Sequence, residues 1–207
     1  MEGVRPPFPR QSAVDHGSDH VEIEGRLTDE LASAIAAARR RVLRDGDRQI
    51  DTAHLLHALM ESDPDVRAFF DGPQVARLLG YLVQRSIGYG LRWQIGVEDA
   101  GVVPGAPGTP GWSPVAARAM RQAYDRAQRR GERSAHGVDL LAALVVANGS
   151  RAVEVLGTVG LDVGLVARRV VQTPVAGTRV VSAPLVETPV GETPVVGPDV
   201  VGTGDGC

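Results

Sequence analysis

Apolar residues recur through the middle of the chain at helical spacing. Leu31, Ala34, Ile35, Ala38 and Val42 fall at i, i+3, i+4, i+7 and i+11, a single stripe on one helix. Thr28 stands where an N-cap belongs, and Asp29 and Glu30 follow in the first turn. Arg40, Arg41 and Arg44 gather towards the end, so charge complements the helix dipole at both termini. Gly46 is the expected left-handed stop. A second helix is predicted from Asp51 or Thr52, burying Leu55, Leu56, Leu59 and Met60. Asp63-Pro64 opens a third with Val66, Phe69 and Phe70 inward, halted by Gly72 and Pro73. Val75, Leu78, Leu79, Leu82 and Val83 mark a fourth stripe.

Residues 89–111 are rich in Gly and Pro and read as a linker, after which the pattern restarts. An offset of 85 carries the first stripe onto Ala116, Ala119, Met120, Ala123 and Ala127. It also carries Thr28 to Ser113, Arg41 to Arg126, Gly46 to Gly131, and Leu55-Leu56 to Leu140-Leu141. Alanine-rich stripes coincide easily, but a cap, a stop and a double leucine in one register do not, so the chain is read as an internal duplication. Ala152, Val155, Leu156 and Val159 predict a seventh helix, and Val163, Val166 and Val170 an eighth. The expected fold is all-α: two pseudo-symmetric four-helix repeats, 27–88 and 112–171, packed into one eight-helix bundle. Each half alone is too small for a strong core, which favours a shared one.

The flanks differ in kind. Residues 1–26 mix Pro, Gly, Ser, His and acids without period and read as a disordered leader. Residues 172–207 are Val, Pro, Thr and Gly, with Thr-Pro-Val at 173, 188 and 193, and read as a disordered, extended tail.

Composition narrows the function classes. A net charge of -3 argues against a nucleic-acid binder that works by neutralising phosphates. All the basic residues are arginine, so a phosphate loop or Schiff-base chemistry, each needing a lysine, is excluded for this sequence. The single cysteine, Cys207, has no internal disulfide partner, and no stretch of eighteen apolar residues occurs. A cytoplasmic location is the expectation, with no membrane or nucleic-acid partner.

Candidate chemistry is thin. Asp51, His54 and His57 are three potential metal ligands at the start of one helix, but successive members rotate by about 60° around its axis. No Cys or Glu-rich segment completes a zinc tetrahedron, so His54 is read as a capping or turn residue. Arg39-Arg40-Arg41 and Arg129-Arg130 are read as solvated helix faces among scattered acids. No nucleophile elbow, zinc-protease or dinucleotide signature occurs. No catalytic residue, metal site or cofactor is expected, and the chain is read as not being an enzyme. Trp112, just before the Ser113-Pro114 helix start, is the candidate for partner contact; the competing reading is a staple packed on its own helix. Leu27, ahead of Thr28, holds the equivalent place.

The duplicated layout, with Ile50-Asp51-Thr52-Ala53-His54-Leu55-Leu56 in one copy and Ala135-His136-Gly137-Val138-Asp139-Leu140-Leu141 in the other, resembles the Clp N-terminal repeat domain over roughly residues 27–171. The resemblance implies a docking domain that receives adaptors, substrates or cyclic-peptide antibiotics. It also implies, for a chain of this length without lysine, a stand-alone version lacking the ATPase modules. The implied function is a non-catalytic protein- or peptide-binding module, an accessory, adaptor-like or decoy partner of a Clp chaperone-protease system. The implied partners are Clp unfoldase or protease subunits or their adaptors, met through Leu27, Thr28, Trp112 and Ser113. Sequestration of cyclic-peptide antibiotics and a purely structural role are the alternatives. The family's two glutamates associated with phosphoarginine recognition are replaced by Ala53 and Val138, so that activity is not carried over.

Overall fold

A computed structural model describes residues 26–87, 98, 101–104 and 108–173. The expectations for the leader, the tail and most of the linker lie outside these residues.

The described chain is all-α apart from four residues of strand. The elements are α1 (Asp29–Asp45), β1 (Gln49–Ile50), α2 (Thr52–Ser62), α3 (Pro64–Arg67), α4 (Gly72–Ser86), β2 (Gly111–Trp112), α5 (Pro114–Arg129), α6 (Gly137–Val145), α7 (Arg151–Thr158) and α8 (Val163–Gln172). Each helix start has a local cause. Side chains of Thr28, Asp51, Asp63, Asp71, Ser113, Ser150 and Asp162 accept from backbone N–H groups of the first turns that no earlier carbonyl can reach. Gly46 closes α1 in the left-handed region at φ 73°, and Gly131 repeats that conformation at φ 79° after α5.

The predicted stripes face inward. Leu31, Ala34, Ile35, Ala38 and Val42 are buried, as are Ala116, Ala119, Met120, Ala123 and Ala127. They join Leu55, Leu56, Leu59, Leu140, Leu141 and Leu144 in one continuous core that runs through both halves of the chain. α2 lies at its centre, touching α1, α4 and α3 of its own half and α5, α6 and α7 of the other. Alanine makes the α1 and α5 faces thin, which lets the leucine-rich α2 and α6 approach them closely.

Three local expectations change. Gly72 and Pro73 do not halt a helix: they begin α4, where Asp71 and Gln74 form a capping box and proline sits within the first turn, the position that tolerates it. The third helix is accordingly only Pro64–Arg67, and Phe69 and Phe70 are buried in the turn after it. Val83, assigned to the inward stripe of α4, is 45% exposed, because the buried face of that helix narrows to Leu78 and Leu82.

The halves are joined by main chain as well as by packing, which helical periodicity could not foresee. β1 and β2 pair in parallel, Gln49 with Gly111 and Ile50 with Trp112, and Leu27 makes an isolated parallel bridge to Ala135. Ser113 N–H donates to Ile50 C=O at 2.8 Å, and Thr28 N–H donates to Ala135 C=O at 3.0 Å. These two bonds match residue for residue at the offset of 85. The residue that caps the first helix of each half is thus tied to the approach to the second helix of the other half.

Space is tight where α6 begins. A methyl group on Gly137 would lie 1.9 Å from Asp63 Oδ2, while one on Gly80, on the exposed side of α4, would meet nothing within 4 Å. Gly137→Ala is therefore expected to destabilise by about 1–3 kcal/mol, and Gly80→Ala to stabilise by about 0.5–1 kcal/mol. Urea midpoints of the two variants should move in opposite directions.

Candidate functional site

The densest polar arrangement in the described chain lies at the Ile50–Trp112 crossing. Three helix starts converge there: Thr52 at the first position of α2, Ser113 capping α5, and Arg151 at the first position of α7. One carboxylate serves all three. Glu98, 1% exposed, accepts from Thr52 N–H at 3.0 Å, from Arg151 N–H at 2.7 Å, from the Ser113 hydroxyl at 2.9 Å and from the Thr52 hydroxyl. The hydroxyls are fully used. Thr52 Oγ1 accepts from Ala152 N–H at 2.9 Å, and Ser113 Oγ from Ala116 N–H at 3.0 Å. Gln49 Nε2 holds the Glu98 carbonyl at 2.7 Å. A buried carboxylate here is offset by the positive ends of helix dipoles and by four donors.

Beside it, Asp51 is completely buried and is gripped by Arg151 Nη1 at 2.5 Å from the other half. His54 Nδ1 lies 2.7 Å from Asp51 Oδ1, and its Nε2 lies 3.0 Å from Asp47. Burial pushes the Asp51 carboxyl up, but the His54 charge and hydrogen bonds together with Arg151 outweigh it and hold it down at about 2. Burial likewise opposes charge on His54, yet Asp51 and Asp47 raise it to about 9. A ring charged at neutral pH donates from Nδ1 to Asp51 Oδ1; only the neutral ring can accept from the Asp51 N–H, 3.3 Å away. His54 is a capping residue, as the sequence suggested. His57 turns elsewhere, buried near Arg41 with Nε2 3.2 Å from Glu61, and burial and the Arg41 charge press it down to about 4. Among the described residues no group of three or more His, Cys, Asp or Glu side chains could hold a metal ion.

The second half solves the same problem with the residues exchanged. Asp51 and His54 correspond at the offset to His136 and Asp139, and Asp139 is the buried member here. It accepts from His136 N–H at 3.0 Å and from Arg126 Nε at 3.1 Å, and Arg130 grips it with two nitrogens. Arg130 is raised in turn, chiefly by that hydrogen bond.

Of the four residues singled out for partner contact, Trp112 and Ser113 are wholly buried. Trp112 pairs with Ile50 of β1 and has the Arg39 guanidinium 5.8 Å from its ring centroid. With no accessible area the indole is part of the interior in this structure, and Ser113 caps α5. Leu27 and Thr28, at the other crossing, are half-buried. Two clefts flank the crossings. One, of 210 Å³, is lined by Asp47, Arg48, Gln49, Gly101, Val102 and Arg151; the other, of 440 Å³, by Arg26, Tyr124, Gln128, Glu132, Arg133 and Ser134. Residues 47–49 and 132–134 correspond at the offset of 85.

Known structures share this arrangement of helices. The crystal structure of the N-terminal domain of the caseinolytic protease associated chaperone ClpD from Arabidopsis thaliana superposes with a TM-score of 0.56 at 18% identity, covering 71% of this chain and 93% of that domain. The fold is that of a Clp N-terminal domain. A structure from a malarial protein secretion system matches at TM-score 0.50 and 18% identity over 70% of this chain and 92% of its own. The Hsp104 N-terminal domain from Candida albicans matches at TM-score 0.49 and 13% identity over 71% and 90%. No family model and no curated relative matches the sequence. Within this Clp N-terminal fold, Ala53 and Val138 are both buried. No helix among the described residues is long and apolar enough to cross a membrane.

Glu98, Arg151 and Asp139 were not singled out from sequence. Glu98 sits in a Gly/Pro-rich stretch read as linker, and a lone acid there carries no periodic signal.

Two outcomes follow for stability. Glu98→Ala leaves buried donors at three helix starts unsatisfied and should cost on the order of 3–5 kcal/mol in chemical denaturation. The pH dependence should peak near pH 6.5. The His54 contribution is whole below 6.5 and lost as pH rises through about 9. The His57 contribution is whole above 6.5 and lost as pH falls through about 4, with Asp51 adding a loss from 3.8 down to about 2. His54→Gln should flatten the alkaline limb of urea midpoints measured from pH 3 to 10, a limb worth on the order of a few kcal/mol.

Proposed function

We propose that the chain is a non-catalytic protein-binding module that serves a Clp chaperone-protease system as an accessory, adaptor-like or decoy partner. The observation that carries this reading is the extent of the fold. Nearly the whole of the ClpD N-terminal domain is matched, and ClpD is a caseinolytic protease associated chaperone. The chemistry of the polar centre agrees with it. Glu98, Asp51 and Asp139 are buried and bonded to donors from their own chain, so they hold helices in place. The accessible part of the inferred contact surface is the Leu27–Thr28 crossing and the cleft beside it.

The test is affinity capture from the cell that makes the protein, read by mass spectrometry against a Leu27→Ala chain shown to be folded by circular dichroism. A Clp unfoldase, protease subunit or adaptor should be enriched with the native chain and reduced at least fivefold with the variant. Capture that enriches no Clp component over the variant overturns the reading.

A further inference from the structure

The two crossings share one construction, and among the described residues a third segment lies on one of them. At the Ile50–Trp112 crossing a third segment completes the edge. Val103 lies antiparallel to Trp112, with Val103 N–H donating to Trp112 C=O and Trp112 N–H donating to Val103 C=O, each at 2.7 Å. Both main-chain groups of Trp112 are thereby satisfied, and Val103 packs half-buried against the core.

Leu27 occupies the position of Trp112 at the other crossing, 85 residues earlier. Its neighbours Arg26 and Thr28 make the bonds to Ala135, Ala135 N–H donating to Arg26 C=O at 3.1 Å and Thr28 N–H to Ala135 C=O at 3.0 Å. The N–H and C=O of Leu27 itself point away from that bridge, as those of Trp112 do. Among the described residues no hydrogen bond falls on either. At the Ile50–Trp112 crossing Gly101 and Val102 form part of the wall of the adjoining cleft.

We propose that Leu27 is an open strand edge that takes an extended segment of a partner protein, antiparallel, with a β-branched aliphatic residue opposite Leu27. Val103 on Trp112 is the chain's own template for the contact, in which main-chain bonds supply the affinity and the valine fits the half-buried seat. Two details set the specificity. A Cβ on Gly111 would stand 2.3 Å from Val102 Cγ1 and 2.9 Å from the Val103 carbonyl oxygen, and the residue at that position in the Leu27 crossing is Arg26, so a partner strand there lies further out than Val103 does. Glycine before the valine in the partner removes the side-chain part of that crowding. Arg133 borders the cleft, while Arg26 is held on Tyr124 and Glu132 is engaged by Arg130 at 2.6 Å. An acidic residue a few positions ahead of the valine matches that border. The inference rests on the protein-binding reading and names the site and the form of the ligand.

The probe is the blocked peptide acetyl-Asp-Ala-Gly-Gly-Val-Pro-amide, titrated into the full-length chain and followed by amide NMR. Saturable one-site shifts are expected, largest at Leu27 and Thr28. The same peptide with an N-methylated valine, which lacks the N–H that would bond to the Leu27 carbonyl, should bind at least about tenfold more weakly. Equal binding of the two peptides, shifts centred on Arg48 and Arg151, or no saturation would each overturn the proposal. Because the peptide experiment needs no Clp component, its failure alongside a positive affinity capture removes the Leu27 edge and leaves the protein-binding reading standing.

Discussion

A buried helix start is a demand for acceptors. The first N–H groups of any α-helix have no carbonyl behind them, and three such starts meet in this protein at one buried carboxylate. A single carboxylate answers them. Two of its bonds come from backbone N–H groups and two from hydroxyls that are themselves accepting, so removing any member exposes the others. Aliphatic packing brings the halves together, but the polar centre decides the register in which they meet. Apolar faces slide at small cost; four directed hydrogen bonds on one anion do not.

The same demand explains why the halves exchange main chain. Each first helix is preceded by a residue that pairs with the other half, so the caps at Thr28 and Ser113 are set by partners far away in sequence. Asp51 and Asp139 repeat the theme with arginine: one draws its cation from the opposite half, the other from the helix before it. A likeness of 18% identity to the ClpD domain with the helices in place is what such a scaffold permits. Alanine and leucine stripes tolerate exchange, and the polar ties can change hands, as the swapped Asp and His of the two halves show.

The helical part of this fold was legible in the sequence because its signals are local. Stripe, cap and stop can all be seen within a dozen residues, and the α1 and α5 faces lie where periodicity put them. Gly72-Pro73 misled because the same pair that ends one helix also suits the first turn of the next, and only Asp71 with Gln74 distinguishes the two. The burial of Trp112 was illegible for another reason: an aromatic ahead of a helix suits a staple or an interface equally well, and its pairing with Ile50 is a contact across more than sixty residues. Glu98 could not have been found, since nothing beside it in the chain announces three helix ends arriving from elsewhere. Periodicity speaks to faces; it is silent on meetings.

The exchanged main chain carries a consequence for ancestry. A chain holding one copy alone would keep its capping segment and its bridge acceptor, which in the full chain bond to the other half and not to each other. It would complete the bond only by borrowing from a second molecule, in a two-fold pair whose subunits trade the strand ahead of the first helix. Fusing two copies end to end turns that exchange between molecules into one within a molecule. Concentration then ceases to matter, and the connecting peptide becomes free to diverge, here into a source of an anion that no single copy contained.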